Sequence, residues 1–167
     1  MSCENQAMDS GAVVRSYFAV WGAQDVELTV AHTHPAFVYK VHVSSTVLPF
    51  GAETRGHEAF RNLLFTILAD FDFLKYEPTI VRVNGRLVRT HLAFKYLHRQ
   101  SGETLEGTRR LVFTIRGDLI VRIDGYHDAE LVEAFMRLAQ HRIATNQLAR
   151  APQLPRGRAK EGSGAGA

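Results

Sequence analysis

Arg109, Asp124 and His127 are the residues whose types and placement could do chemistry in this chain. An imidazole titrates near neutrality, so His127 is the candidate general base, and a nearby carboxylate, Asp124 or Asp128, could fix its tautomer. Arg109 is a permanent cation and could stabilise negative charge developing on a substrate oxygen. His127 closes the stretch Leu119-Ile120-Val121-Arg122-Ile123-Asp124-Gly125-Tyr126-His127-Asp128. Its alternate positions Leu119, Val121, Ile123, Gly125 and His127 form one row and Arg122, Asp124 and Tyr126 the other, so His127 should point toward the core. Arg109 interrupts the apolar row Gly107, Leu111, Phe113 and Ile115 of the preceding strand. A buried guanidinium is costly without a partner. Arg109 should therefore stand at the open end of its row, paired with a carboxylate or facing an anionic or carbonyl-bearing ligand. The plainer readings stand beside these: a structural histidine at a strand end, and Asp128 as a helix cap.

The elements that must position these groups can be read from periodicity. Val13, Val14, Tyr17, Phe18 and Trp21 repeat at the spacing of one helical face, capped by Asp9 or Ser10 and ending near Gln24. Tyr17 and Trp21 suit either core or pocket wall, because each is an apolar body with a polar tip. Asp25 can cap a short helix from Val26 to about His34, stopped by Pro35. His32 and His34, two apart, make a poor metal pair. Ala36 to Ser45 alternates as a half-buried strand with Tyr39 inward and His42 on the wetter face. The loop Thr46 to Gly51 has an apolar tip that could cover a pocket or fill a subunit contact. A third helix, His57 to about Asp70, buries Phe60, Leu63, Leu64, Ile67 and Leu68, and Phe71-Asp72-Phe73 ends it.

From Tyr76 the chain reads as a meander: strands Tyr76 to Val83, Arg86 to Arg99, Thr104 to Arg116 and Leu119 to Tyr126, with Asn84-Gly85, Ser101-Gly102 and Gly117-Asp118 at the turns. Val88, Leu92, Phe94 and Tyr96 form the inward set of the second. The last helix, about Ala129 to Asn146, should start on Asp128 and bury Leu131, Val132, Phe135, Leu138 and Ala139. The expected organisation is a flexible segment over residues 1–9, one domain over residues 10–147, and a disordered tail over residues 148–167.

Bulk properties narrow the function classes. The 167 residues are 46% hydrophobic and 22% charged, enough for one good core. No apolar run reaches the roughly 18 residues of a membrane span, and no secretory signal pattern is visible, so a cytoplasmic location is expected. The one cysteine, Cys3, rules out an intramolecular disulfide and a thiolate metal cluster. The net charge is +3, and Arg156, Arg158 and Lys160 against Glu161 account for two of those charges. The folded part therefore lacks the basic excess of a nucleic-acid binder. The eight histidines offer no pair at ligand spacing on one face with a nearby carboxylate, so neither metal nor cofactor is expected.

The order helix, helix, strand, helix, four strands and closing helix resembles the SnoaL-like branch of the nuclear transport factor 2-like (NTF2-like) superfamily over residues 10 to 140. The carriers are Trp21-Gly22-Ala23-Gln24-Asp25, Pro49-Phe50-Gly51 leading to Arg55-Gly56, and the Gly117 to Asp128 stretch with its terminal Tyr-X-Asp. The superfamily includes polyketide cyclases, ketosteroid isomerase and limonene-epoxide hydrolase. The resemblance implies an α+β fold, a curved antiparallel sheet wrapped by three to four helices into a cystatin-like cone, and commonly a homodimer. It also implies a small apolar ligand in the cone. Tyr17, Trp21, Tyr39, Phe94, Phe113 and Tyr126 would line the site, with His127, Arg109 and Asp124 catalytic. The chain departs from family patterns: His91 and Ala93 stand where the hydrolase has Arg-X-Asp, and Gly125 stands at its further carboxylate. Tyr17 matches the isomerase's first-helix tyrosine, but Tyr39 to His42 replace its base. Two readings stay open, an isomerase- or cyclase-type acid–base enzyme on an apolar carbonyl compound, and a non-catalytic ligand-binding or dimerisation domain.

Overall fold

Period-two alternation builds one sheet, and helical stripes cover one face of it. The structure, a computed structural model, describes residues 9–42 and 53–152. In chain order the elements are α1 (Ser10–Gly22), α2 (Val26–Ala31), β1 (Thr33–Val41), β2 (Thr54–Arg55), α3 (Gly56–Asp70), β3 (Phe71–Asn84), β4 (Leu87–His98), β5 (Thr104–Arg116), β6 (Leu119–Tyr126) and α4 (Ala129–Arg150). The strands form one six-stranded sheet in the order β2-β1-β6-β5-β4-β3. This is the expected α+β architecture, and the meander from β3 to β6 is antiparallel throughout. One pairing differs from expectation: β1 runs parallel to β6. The intervening α3 and meander return the chain to the sheet centre in its original direction, as a crossover requires. The apolar-tipped loop over residues 46–51 lies outside the described residues.

Curvature comes from bulges. In the β3–β4 ladder, Phe73 faces Tyr96 while Lys75 faces Lys95, and Ile80 faces Thr90 while Arg82 faces Arg89. Leu74 and Val81 are thus extra residues, and both are among the exposed large apolar side chains, at 55% and 61%. An extra residue bends its strand and increases local twist. A third bulge falls in β6, where Ile120 pairs with Ile115 and Arg122 with Thr114, leaving Val121 over. That single insertion changes the expected row: Ile120, not Leu119 or Val121, is buried, and only beyond it do Ile123 and Gly125 follow the alternation toward His127.

Other boundaries moved for local reasons. α2 ends at Ala31, because Thr33 already enters β1, and Pro35 is tolerated there since β2 pairs only with Val38 and Tyr39. Phe71 to Phe73 begin β3 instead of closing α3. Asp72 is an exposed partner of Arg99 at 2.6 Å. His32 is structural, with Nδ1 donating to Leu28 O at 2.7 Å and Nε2 accepting from Ser16 Oγ at 2.8 Å.

The core lies between the sheet and the helices. Tyr17, Phe18 and Trp21 of α1, Phe60 and Leu64 of α3, and Phe135 of α4 meet Val88, Leu92, Phe94, Phe113 and Ile123 from the strands. Phe113 is fully buried, edge-on to Tyr17 at 5.4 Å and Phe18 at 5.3 Å. On α4, Val132, Phe135 and Ala139 are buried, whereas Leu138, placed in the core stripe by periodicity, is 54% exposed. Asp128 caps α4, its Oδ1 accepting from Glu130 N at 3.0 Å and Leu131 N at 3.2 Å. Asp128→Ala should therefore cost about 1 kcal/mol of stability while Asp128→Asn stays near neutral, as read from urea midpoints. Equal losses in the two variants would mean that the carboxylate charge, not the cap, is what matters.

Candidate functional site

A cavity with two lobes lies between the inner face of the sheet and α1, α3 and α4. The larger lobe has a volume of about 120 Å³ and the smaller about 20 Å³. Trp21, Tyr39, Leu63, Ile67 and Arg109 line both, so the lobes share a wall. Helical spacing of four places Leu63 above Ile67 on α3, and Tyr17 and Trp21 on one face of α1. Strand alternation turns Tyr39, Tyr96 and Arg109 inward, and α4 adds Val132, Phe135 and Met136 to the larger lobe. Tyr17, Phe60, Leu64, Tyr76, Leu111 and Ile123 complete the smaller one.

Arg109 is the cation of this cavity. Its Nη1 donates to Nε2 of His127 at 3.1 Å, and its Cζ lies 6.0 Å from the centroid of the Phe94 ring. Nε of Arg109 is buried without a hydrogen-bond partner, and so is the hydroxyl of Tyr76. Neither lobe is lined by Asp or Glu among the described residues. Burial opposes the Arg109 charge, but coupling to the surrounding tyrosines raises its pKa overall. Burial also raises the pKa values of Tyr17, Tyr76 and Tyr96. These three phenols are therefore protonated at neutral pH, and their dipoles cannot cancel the guanidinium charge.

The same burial acts on His127. Desolvation first, and the Arg109 charge second, push its pKa down to about 3. The ring is neutral at pH 7. Because guanidinium only donates, Nε2 must be the accepting nitrogen and the proton sits on Nδ1. The expected base is therefore a neutral imidazole whose basic nitrogen already faces a cation.

The structure brings Arg109, His127, Tyr17, Trp21 and Tyr39 to one cavity wall, with Phe94 against the Arg109–His127 pair, and places Asp124, Tyr126 and Phe113 elsewhere. Asp124 points to the outer face of the sheet, where it holds Arg122 through two 2.8 Å contacts and His42 through another at 2.8 Å. These partners, Arg122 first, lower its pKa. It cannot orient His127, which lies three positions on and so on the opposite face. Tyr126 is also on the outer face, stacked on His42 at 4.4 Å and lying under Arg110 at 5.4 Å. Phe94 packs beneath the Arg109–His127 pair, and Phe113 is core under α1. Sequence reasoning missed Phe71, Phe73 and Tyr76, because β3 begins earlier than its alternation implied. The α3 stripe was recognised as core but not as cavity wall.

A larger concavity, about 670 Å³, opens between α1 and β3, lined by Arg15, Phe18, Ala19, Gly22 and residues 76 and 78–80. Arg15 there is solvated and faces Asp9. No polar groups converge in that groove, so the smaller, less open cavity is the better candidate site despite its size.

The SnoaL-like domain model matches residues 14–123. No curated protein sequence matches the chain. Among solved structures, an NTF2-like protein of unknown function from Burkholderia pseudomallei superposes with a TM-score of 0.68 at 11% identity, covering 76% of this chain and 96% of that one. An NTF2-like protein from Burkholderia xenovorans gives 0.66 at 18% identity, covering 78% and 97%. A protein with a ketosteroid isomerase-like fold from Catenulispora acidiphila, in complex with trimethylamine, gives 0.62 at 17% identity, covering 77% and 95%. At such identities these likenesses establish the fold alone. The matched domain model spans most of the sheet and the first three helices, and the chain belongs to the SnoaL-like domain family.

Proposed function

We propose that this chain is a small-molecule pocket protein whose cavity takes an apolar ligand bearing a carbonyl oxygen, with Arg109 as that oxygen's partner and His127 holding the guanidinium in place. The observation that carries the reading is the meeting of Arg109 and His127 at 3.1 Å inside walls that are otherwise mainly aromatic and aliphatic. A polarised carbonyl acidifies the adjacent C–H, which is the first requirement of isomerase- or cyclase-type acid–base chemistry. In that chemistry His127 orients the Arg109 guanidinium as a neutral acceptor, and Tyr17, Trp21 and Tyr39 position the ligand.

One observation favours the second reading, a non-catalytic binding domain. The cavity has no lining carboxylate among the described residues, and His127, with a pKa near 3, is a weak base. Proton exchange separates the two. With a cyclic ketone in D₂O, an enzyme should catalyse exchange of the α-protons by NMR, and Arg109→Met should slow it by about 10²-fold. Ligand-induced chemical-shift changes without exchange would leave binding and remove catalysis.

The same reading includes a homodimer formed through the outer sheet face in the cytoplasm. Its support is a shallow depression of about 480 Å³, lined by Val81, Arg89, His91, Arg110 and Tyr126 among others. Sedimentation equilibrium should give twice the chain mass, and Val81→Glu should shift it toward monomer. An unchanged monomer mass in the unmodified protein would reject the dimer.

Stability should fall in acid because of His127. Its folded pKa is about 3, below the ordinary 6.5, so the unfolded chain takes up the proton first as pH drops. The contribution is complete above pH 6.5 and is lost progressively toward pH 3, reaching about 2 kcal/mol near pH 4.5. His127→Gln keeps an acceptor for Arg109 and should remove that share of the acid sensitivity. Parallel stability curves for the two proteins between pH 7 and 4.5, from urea titrations, would show that the imidazole is not held neutral.

A further inference from the structure

We propose that the cavity selects an anion, a single-ring apolar monocarboxylate whose carboxylate meets Arg109 and Tyr76 while the ring occupies the larger lobe. This rests on the pocket reading above and adds the ligand's charge and size.

Charge is the first argument. The Arg109 guanidinium is held among phenols and aliphatic groups, and its polar contact is a neutral imidazole that accepts a proton but supplies no negative charge. An uncompensated charge away from water is strongly unfavourable, and a ligand anion would compensate it where a neutral carbonyl would not. The second argument is the pair of orphaned groups. Arg109 Nε and the Tyr76 hydroxyl are the buried side-chain atoms without a hydrogen-bond partner among the described residues, and both residues line the smaller lobe. A carboxylate has two oxygens and about four acceptor sites, so it can receive both donors at once.

Size is the third argument. The larger lobe, about 120 Å³, is close to the roughly 150 Å³ apolar cavity known to admit benzene. Its wall away from Arg109 includes Leu105, Val132, Phe135 and Met136, which offer no hydrogen bond to a second polar group. The ligand is therefore polar at one end, with a six-membered ring as its body.

Benzoate and acetophenone test this, because they share shape and differ in charge. In calorimetric titrations of the full chain at pH 7, benzoate should bind at least about tenfold more tightly, a difference of about 1.4 kcal/mol. The preference should vanish in Arg109→Met and fall about threefold in Tyr76→Phe. Equal affinities in the unmodified protein would overturn the anion proposal and leave the pocket reading standing. Binding of neither compound would overturn both. Should Arg109→Met fail to fold, the wild-type comparison and Tyr76→Phe still decide. An unchanged benzoate preference in Tyr76→Phe would remove the phenol from the headgroup site.

Discussion

A charged guanidinium on the inner row of β5 is the constraint around which this interior is arranged. An arginine there cannot lose its proton at any physiological pH, so the surroundings must accommodate the charge. They do so without a carboxylate among the lining residues, using the lone pair of His127 and the face of Phe94. Each of these contacts has a consequence for its neighbour. His127 is held neutral in one tautomer, the buried phenols stay protonated, and the guanidinium retains one donor, Nε, without a partner. What this arrangement lacks is a hydrogen-bond acceptor for that donor.

The sheet makes room for that cation by being bent and locally thinned. The extra residues Leu74 and Val81 curve β3, so the inner face is concave and helices cannot lie flat along it. Gly107 stands two positions before Arg109, and a Cβ there would come within 2.7 Å of Leu131 Cδ2, so α4 approaches β5 closely at that point. Gly125 does a related job on β6. A Cβ at that position would lie 3.3 Å from Leu111 Cδ2 and 3.7 Å from the Tyr39 hydroxyl. The lack of a side chain there leaves the inner face open to the neighbouring phenol of β1.

Much of this was legible from residue order, and the failures have specific causes. Arg109 was identifiable because it breaks an apolar row, and Tyr17, Trp21 and Tyr39 because helical and strand periodicity set their direction. Asp124 and Tyr126 could have been excluded by parity alone, since a strand residue three positions, or one, from His127 faces the other way. Their attraction was nearness in sequence, which is a poor guide to nearness across a sheet. The β6 bulge at Val121 was hidden, because Leu119, Ile120, Val121 and Ile123 are all apolar and either register satisfies the pattern. Tyr76 and Phe73 were hidden for a similar reason: a bulge within β3 breaks the alternation that would have marked them as inward.

The chemistry available to the cavity follows from one asymmetry between its two polar residues. A general base needs a lone pair directed at the substrate and a pKa near the working pH. His127 has neither, because Nε2 faces Arg109, and burial together with the Arg109 charge pushes its pKa down to about 3. What the cavity does provide is an unpaired donor, the Nε–H of Arg109, set in a medium where a hydrogen bond to a charged oxygen is stronger than in water. Such a site stabilises an oxyanion whether that oxyanion forms during a reaction or arrives already ionised. Forming it demands a proton acceptor that the described cavity wall does not supply. Receiving it ready-made demands nothing further, which is the case the proposed anionic ligand represents.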